Sequence, residues 1–520
     1  MDASGMRLGR PLDAVSPETA PLGVSPERSP EESRARAQSC PLKEAELKEK
    51  KITNEGPILA IMEATKSLQV PGTVAHVRDI LSHWGELSDE ARQELKLLMN
   101  TFYKPAGERS PFRPLNGFPA KAEPLPRAPE NVFVFRNEAN QEVFGWRNIF
   151  SLPVEYDVEI SSGLLNTESS VLAVRHLPAD GPRRRFIVID EAVHEIYGAK
   201  LAAYFEHHGI ETCYVVLPGE EANKRWDAVD KILDQLCIFA LRRREPIVAI
   251  GGGVLLDIVG LAANLYRRGV PYIRVPTTLL SIVDASIGVK NGVDYCCSSK
   301  GPQKNRVGSF YAPVGAFLDK SFIATQNERN LINGLGEIMK LALVRSYELF
   351  TLLESHGARL VKERFQGKDG VADRVIELSI QIMLEELGPN LWEHKLDRCV
   401  DYGHTFSKII EMAPEADIMH GEAVNVDGFL CILLAERRGL ISASTRDRVL
   451  AAMTKIGLPT SHPSVTPDIM YQGLMDAVEH RHGKQRIPLI TSIGASVCVN
   501  DITREELVVV CDDLWAIHSE

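Results

Sequence analysis

The sequence lacks the features that would place the chain in a membrane, in a secretory route or on a nucleic acid. It has no run of about 18 apolar residues, so no membrane-spanning helix is expected. Its opening segment, MDASGMRLGRPLDAVSPETAPLG, carries no apolar stretch of the secretory-signal kind. The nine cysteines are odd in number and mostly isolated, which excludes a disulfide framework. The adjacent Cys296 and Cys297 do not form a CxxC zinc signature. A reduced, cytoplasmic protein is expected. The net charge of −11 and the isoelectric point near 5.8 argue against a basic nucleic-acid face. There is no internal repeat. The dinucleotide fingerprint GxGxxG and the P-loop ending GK[ST] are both missing.

A chain of 520 residues with 44% hydrophobic residues can bury a sizeable core in two or three domains. Residues 1–55 are rich in Pro, Ser, Glu and Arg and read as a disordered tail. Residues 57–104 read as helices, including SDEARQELKLLMNTFY, and 105–130 as a proline-rich linker. A β pattern follows in NVFVFRNE, EVFGWRN and YDVEISSGLL. From about 185, strands such as RRRFIVID and EPIVAIGGG alternate with helical stretches. That alternation predicts an α/β fold with a mostly parallel sheet covered on both faces. From about 327 helical patterns dominate. The expected organisation is a tail (1–55), a helical extension and linker (56–130), an α/β nucleotide-type domain (150–326) and a helical domain (327–520).

The stretch IVAIGGGVLLDIVG passes from an apolar strand through Gly251, Gly252 and Gly253 into a helix. Glycines there let backbone approach a pyrophosphate, and the helix N-terminus offers amides to the anion; a plain tight turn reads the same way. Asp190 ends the strand FIVID, where a carboxylate can accept ribose hydroxyls. Thr277 and Thr278 end another strand, on the edge where open α/β sheets bind ligands. Glu221 and Lys224 in PGEEANK suit that edge equally well as a surface pair.

INGLGEIMK sets Glu337 and Lys340 on one helical face, and GHTF and HGEAV supply His404 and His420. A Glu–His–His set with an open position suits catalytic zinc or a similar divalent ion; each residue taken alone reads equally as structural. Lys290, Lys304 and Asn305 lie in glycine-rich, loop-like surroundings, and Arg267 and Arg268 precede Gly269 at a helix end. Such residues can clamp a phosphate or stand as solvated charges.

Taken in order, GGGVLLDIVG, YRRGVPYIRVPTTLLSIVDASIGVK, KNRVGSFYAP, INGLGEIMK, GHTF and HGEAV resemble the sugar phosphate cyclases, whose best-known members are the 3-dehydroquinate synthases. The resemblance spans about 150–500. It implies a dehydroquinate synthase-like fold, bound NAD and a divalent metal, zinc or cobalt. It implies Glu337, His404 and His420 as metal ligands. It implies Asp190, Glu221, Lys224, Gly252, Gly253, Asp257, Thr277, Thr278, Asp284, Lys290, Lys304 and Thr325 as NAD contacts. Lys290, Lys304, Asn305, Lys340 and Arg268 are the implied polar active-site set, with Arg268 reaching a neighbouring subunit of a homodimer.

Departures from the dehydroquinate synthase pattern carry the rest. Those enzymes place a substrate-carboxylate arginine seven residues before the GHTF histidine, where this chain has Asp397. A carboxylate there would repel a carboxylate substrate. Asp401 replaces an asparagine, Lys408 a histidine, and apolar residues near Met383 a lysine. Leu387, Asp401 and His480 resemble the pattern of the sedoheptulose 7-phosphate cyclases that make 2-epi-5-epi-valiolone; His482 is a neighbouring alternative to His480. The implied reaction is transient oxidation by NAD, β-elimination of phosphate, reduction and intramolecular aldol closure. A demethyl-4-deoxygadusol-forming cyclase, a 3-dehydroquinate synthase, a metal-dependent polyol dehydrogenase and a non-catalytic binding protein remain as other readings.

Overall fold

A computed structural model describes residues 120–298, 301–413 and 417–519. The expected tail and the helices expected over 57–104 lie outside the described residues. The chain divides into two compact units between Ser151 and Leu152. In the first, β1 (Ala120–Leu125), β2 (Ala128–Asn137) and β3 (Val143–Asn148) form an antiparallel sheet in that order. The proline-rich linker expected over 105–130 is therefore wrong from Ala120 onward. Pro124 misled that reading: it sits in an edge strand, where a missing N–H is tolerated, and the register shifts beside it.

The second unit is built on a six-stranded sheet of order β4-β11-β8-β7-β5-β6, parallel throughout. Its strands are β4 (Asp157–Ile160), β5 (Arg184–Asp190), β6 (Glu211–Leu217), β7 (Ile247–Gly251), β8 (Tyr272–Pro276) and β11 (Gly315–Leu318). Helices Glu191–His207, Trp226–Phe239 and Gly253–Leu265 connect successive strands. Burial on both faces explains why β7 is apolar without alternation and why β8 is too, apart from the buried Arg274. The chain leaves β5 for β6 on one side and returns to β7 on the other. That reversal opens a crevice at the carboxyl ends of β5 and β7. Asp190 and Gly251 end those two strands.

β9 (Lys290–Cys297) and β10 (Gly301–Phe310) form an antiparallel hairpin. This corrects the loop expected around Lys290, Lys304 and Asn305. The glycines serve close strand contact rather than a loop: a Cβ on Gly308 would lie 2.3 Å from the Asn291 carbonyl. The register breaks between Gln303 and Val307, and Asn305 takes φ +52° there. The break turns Lys304, Asn305 and Arg306 out of the ladder. The buried Arg274 of β8 fixes the start of the hairpin by donating to the carbonyls of Ala285, Gly288 and Lys290.

From Glu328 onward the unit is mainly helical, with one added hairpin, β12 (Ile487–Ser492) and β13 (Ala495–Val499). Helix Glu328–Arg345 is buried along most of its length. So is helix His420–Arg437. The two meet at glycines: a Cβ on Gly336 would lie 2.2 Å from the Gly421 carbonyl, and one on Gly421 1.9 Å from the Asn333 carbonyl. That contact sets Glu337 beside His420. His404 arrives on a non-helical turn pinned by the buried Asp427, which accepts the N–H groups of Thr405, Phe406 and Ser407 at 2.8, 2.5 and 2.9 Å. No helix among the described residues is long and apolar enough to cross a membrane.

Gly336→Ala is expected to push these helices apart. Overpacking of this kind costs about 1–3 kcal/mol, visible as a lowered melting temperature, and divalent-cation affinity should fall with it. A melt and a cation titration indistinguishable from wild type would remove the glycine contact from the argument.

Candidate active site

One cleft of about 2250 Å³ runs from the carboxyl edge of the sheet to the helical half. A single-ligand pocket is typically about 300–1,000 Å³, so this cleft has room for a dinucleotide and a second molecule.

At the sheet end, Asp190 caps helix Glu191–His207, accepting the Val193 N–H at 3.2 Å. A Cβ on Gly219 would meet Asp190 Oδ2 at 1.6 Å, so that approach requires glycine. Gly252 and Gly253 open the helix that follows β7. Lys224 is buried and pairs with Asp257 at 2.7 Å. Burial opposes its charge, but Asp257 and Glu221 outweigh that and raise its pKa. Thr277 Oγ1 is buried with no hydrogen-bond partner among the described residues. Thr278 bonds Ser281, and Thr325 meets Tyr197 at 3.1 Å. Asp190, Glu221, Lys224, Gly252, Gly253, Asp257, Thr277, Thr278, Asp284 and Thr325 all line the cleft. An orphaned hydroxyl, a glycine-opened helix N-terminus and a strand-end carboxylate fit a nucleotide.

At the helical end, Glu337 is 1% exposed, and neither carboxylate oxygen has a hydrogen bond of good geometry among the described residues. His420 Nε2 lies 3.3 Å and His404 Nε2 3.6 Å from Glu337 Oε1. One donor atom from each of the three residues falls within 4.8 Å of the others. The other ring nitrogens are engaged. His404 Nδ1 lies 3.1 Å from the Tyr402 carbonyl, which can only accept, so Nδ1 carries the proton. His420 Nδ1 lies 2.6 Å from Glu411. His404 Nε2 is thereby left to offer its lone pair toward Glu337. His420 is different: against burial, Glu411 and Glu337 push its pKa up to about 10, so its Nε2 offers a lone pair only when a divalent cation displaces the proton there. Burial, then the Lys340 charge, pushes His404 down to about 3, so its ring is neutral. Lys340 pairs with Glu337 and stands 3.8 Å from Asp284.

Between these ends lie Lys290, Lys304, Asn305, Asp401 and His480, all lining the cleft with Leu387 and His482. Arg268 is exposed at φ +66° and does not line it. Asp397 corrects the sequence argument. It is largely exposed, pairs with Arg486 at 2.5 Å and does not line the cleft, so it cannot repel a bound substrate there. The next residue, Arg398, does line the cleft. Its guanidinium holds both Asp401 oxygens and also Glu393, which in turn lies 2.9 Å from Lys290. Sequence reasoning missed Arg398, Glu393, Arg306 and Glu411. Glu393 at φ +53° had no local signal, since non-glycine strain is invisible in sequence. Arg306, Lys408 and Arg481 add to burial in holding the His480 pKa down, which marks this wall as cationic.

A sheet edge that fits a nucleotide, facing a Glu–His–His centre across a cleft lined by paired cations and carboxylates, is the layout of a nucleotide- and metal-using enzyme. The models for the N-terminal and C-terminal parts of 3-dehydroquinate synthase match residues 214–333 and 334–479. The chain belongs to the 3-dehydroquinate synthase family, within the sugar phosphate cyclases. It is 46% identical to a 2-epi-5-epi-valiolone synthase of Actinoplanes sp. over 70% of this chain and 91% of that one. It is 37% identical to a demethyl-4-deoxygadusol synthase of Trichormus variabilis, over 69% and 87%. Among solved structures it resembles ValA, a 2-epi-5-epi-valiolone synthase from Streptomyces hygroscopicus subsp. jinggangensis with NAD+ and Zn2+ bound. That match has 43% identity and a TM-score of 0.67, over 72% of this chain and all of that one.

Glu337→Ala removes the only carboxylate of the cation set. Metal analysis of the purified variant should find bound zinc or cobalt at background, and turnover should vanish. Normal metal content with normal turnover would refute the ligand assignment.

Proposed function

We propose that the chain converts sedoheptulose 7-phosphate to 2-epi-5-epi-valiolone with release of phosphate, using NAD and a divalent cation. The carrying observation is the masked arginine. Arg398 is the guanidinium beside Asp401 in the cleft, and two carboxylates neutralise it. A site that recognises a substrate carboxylate leaves such a cation free; this one presents acceptors for hydroxyls. Identities of 43–46% to synthases of that name support the same substrate.

When bound, NAD accepts and returns a hydride and the cation polarises a carbinol or carbonyl oxygen. The chain's residues supply the rest. Asp190, with the glycine turn at Gly252 and Gly253, receives the ribose and pyrophosphate. Lys340, buried and charged against Glu337, holds a proton beside the oxygen that gains negative charge. Lys290, Lys304 and Asn305 bind the phosphate and stabilise it as it leaves. Asp401 and His480 hold hydroxyls at the carboxylate-free end and so set the conformation that closes the ring. Leu387 adds an apolar side chain to the lining of the same cleft.

A homodimer belongs to this reading: Arg268 is exposed and does not line its own cleft, which supports a role for it toward the phosphate of a neighbouring subunit. A reducing, cytoplasmic setting belongs to it too; none of the eight described cysteines forms a disulfide.

Purified protein given sedoheptulose 7-phosphate, NAD and zinc or cobalt should release one phosphate per substrate consumed and form the valiolone cyclitol, with no build-up of NADH absorbance. Steady NADH growth would make it a polyol dehydrogenase instead, and a different cyclitol would move it to a sister cyclase. In Glu393→Gln, Arg398 loses one of its masking charges. Affinity for quinate, a carboxylate-bearing polyol, should rise on the order of tenfold as the cation is freed. Unchanged quinate binding would remove the masking argument.

A further inference from the structure

Glu411 ends the short helix Ser407–Glu411 and is buried in the cleft wall, its side chain 5% exposed. Its two oxygens have different partners. Oε1 accepts from His420 Nδ1 at 2.6 Å. Oε2 pairs with the Lys304 ammonium, which also lies 3.1 Å from Glu221. One carboxylate thus touches a ligand of the cation site and a lysine of the hairpin at once. No motif identified in the sequence includes it.

We propose that Glu411 is a positioning residue that couples cation binding at Glu337, His404 and His420 to anion binding at Lys304. The inference rests on the reading of those three residues as a cation site and of Lys304 as a phosphate anchor. A carboxylate shared with an ammonium is a weaker acceptor than one left alone. When a phosphate takes Lys304, Glu411 keeps His420 as its one strong partner. The Nδ1–H···O bond strengthens, and the imidazole becomes a better donor at Nε2. An anion at Lys304 therefore tightens the cation, and by linkage the cation tightens the anion. The departing phosphate reverses the change, so cleavage of the substrate is reported to the cation through this one side chain.

The test needs no turnover. Full-length protein with NAD bound is stripped of metal with a chelator. Co2+ is then titrated by its visible absorption, with and without inorganic phosphate. Phosphate should tighten Co2+ on the order of fivefold or more in wild type. Glu411→Gln should bind Co2+ about 10–100-fold more weakly and lose the phosphate effect. Lys304→Met should also lose the phosphate effect, while binding Co2+ without phosphate at least as tightly as wild type. Lys304→Met carries the test alone if Glu411→Gln does not fold. A phosphate effect that survives in either variant overturns the proposal, since it would mean phosphate ligates the metal directly. Co2+ affinity unchanged in Glu411→Gln, or no phosphate effect in wild type, overturns it as well. Failure of the cyclase reading shows separately, as no cyclitol from sedoheptulose 7-phosphate with the coupling intact.

Discussion

The site depends on a buried carboxylate whose charge Lys340 balances but whose oxygens keep capacity for a further partner. Glu337 sits inside a helix with both oxygens lacking well-directed hydrogen bonds. An isolated buried anion is costly, and such groups are normally paired or bound to metal. Lys340, one turn away, neutralises the charge and, against the opposing effect of burial, holds the Glu337 pKa well below the usual range. Removing one partner of such a pair typically costs about 3–5 kcal/mol. The remaining capacity of the carboxylate points to His404 and His420. Their positions follow from two packing devices: the Gly336–Gly421 contact between helices, and the Asp427 carboxylate that gathers three backbone amides after His404.

The sheet half answers a different constraint. Its inner strands are covered on both faces, so they carry apolar runs, interrupted in β8 by the buried Arg274. That is why β5, β7 and β8, and the strand-end residues Asp190, Gly251 and Thr277, were legible in the sequence. The Glu–His–His trio could be assembled from the local words INGLGEIMK, GHTF and HGEAV, but each residue alone read equally as structural, and the family resemblance chose between the two readings. The β9–β10 hairpin was illegible because its glycines, which permit close strand approach, read as loop. Glu411 and Glu393 were illegible because their partners come from distant segments. Asp397 shows the finest limit. Its place seven residues before the GHTF histidine suggested a charge facing the substrate, but its side chain pairs with Arg486 away from the cleft, and the neighbouring Arg398 lines the cleft.

Masking an arginine is physically different from replacing it with an apolar residue. Arg398 keeps Asp401 ionised: burial raises the Asp401 pKa, but the guanidinium, helped by Arg481, brings it below the usual value. An ionised Asp401 is acceptor-only, which suits hydroxyl donors and disfavours a second carboxylate. Glu393 lies against Lys290 as well as Arg398, so it balances one cation of the cleft wall while masking the other. Lys304 is balanced in the same way between Glu221 and Glu411. Each of these two lysines is therefore already placed by carboxylates before any ligand arrives. A doubly charged phosphate outcompetes a single carboxylate for an ammonium, whereas a neutral polyol does not. On the proposed function, charge balance places the phosphate end of the substrate at these lysines and its hydroxyl end at Asp401.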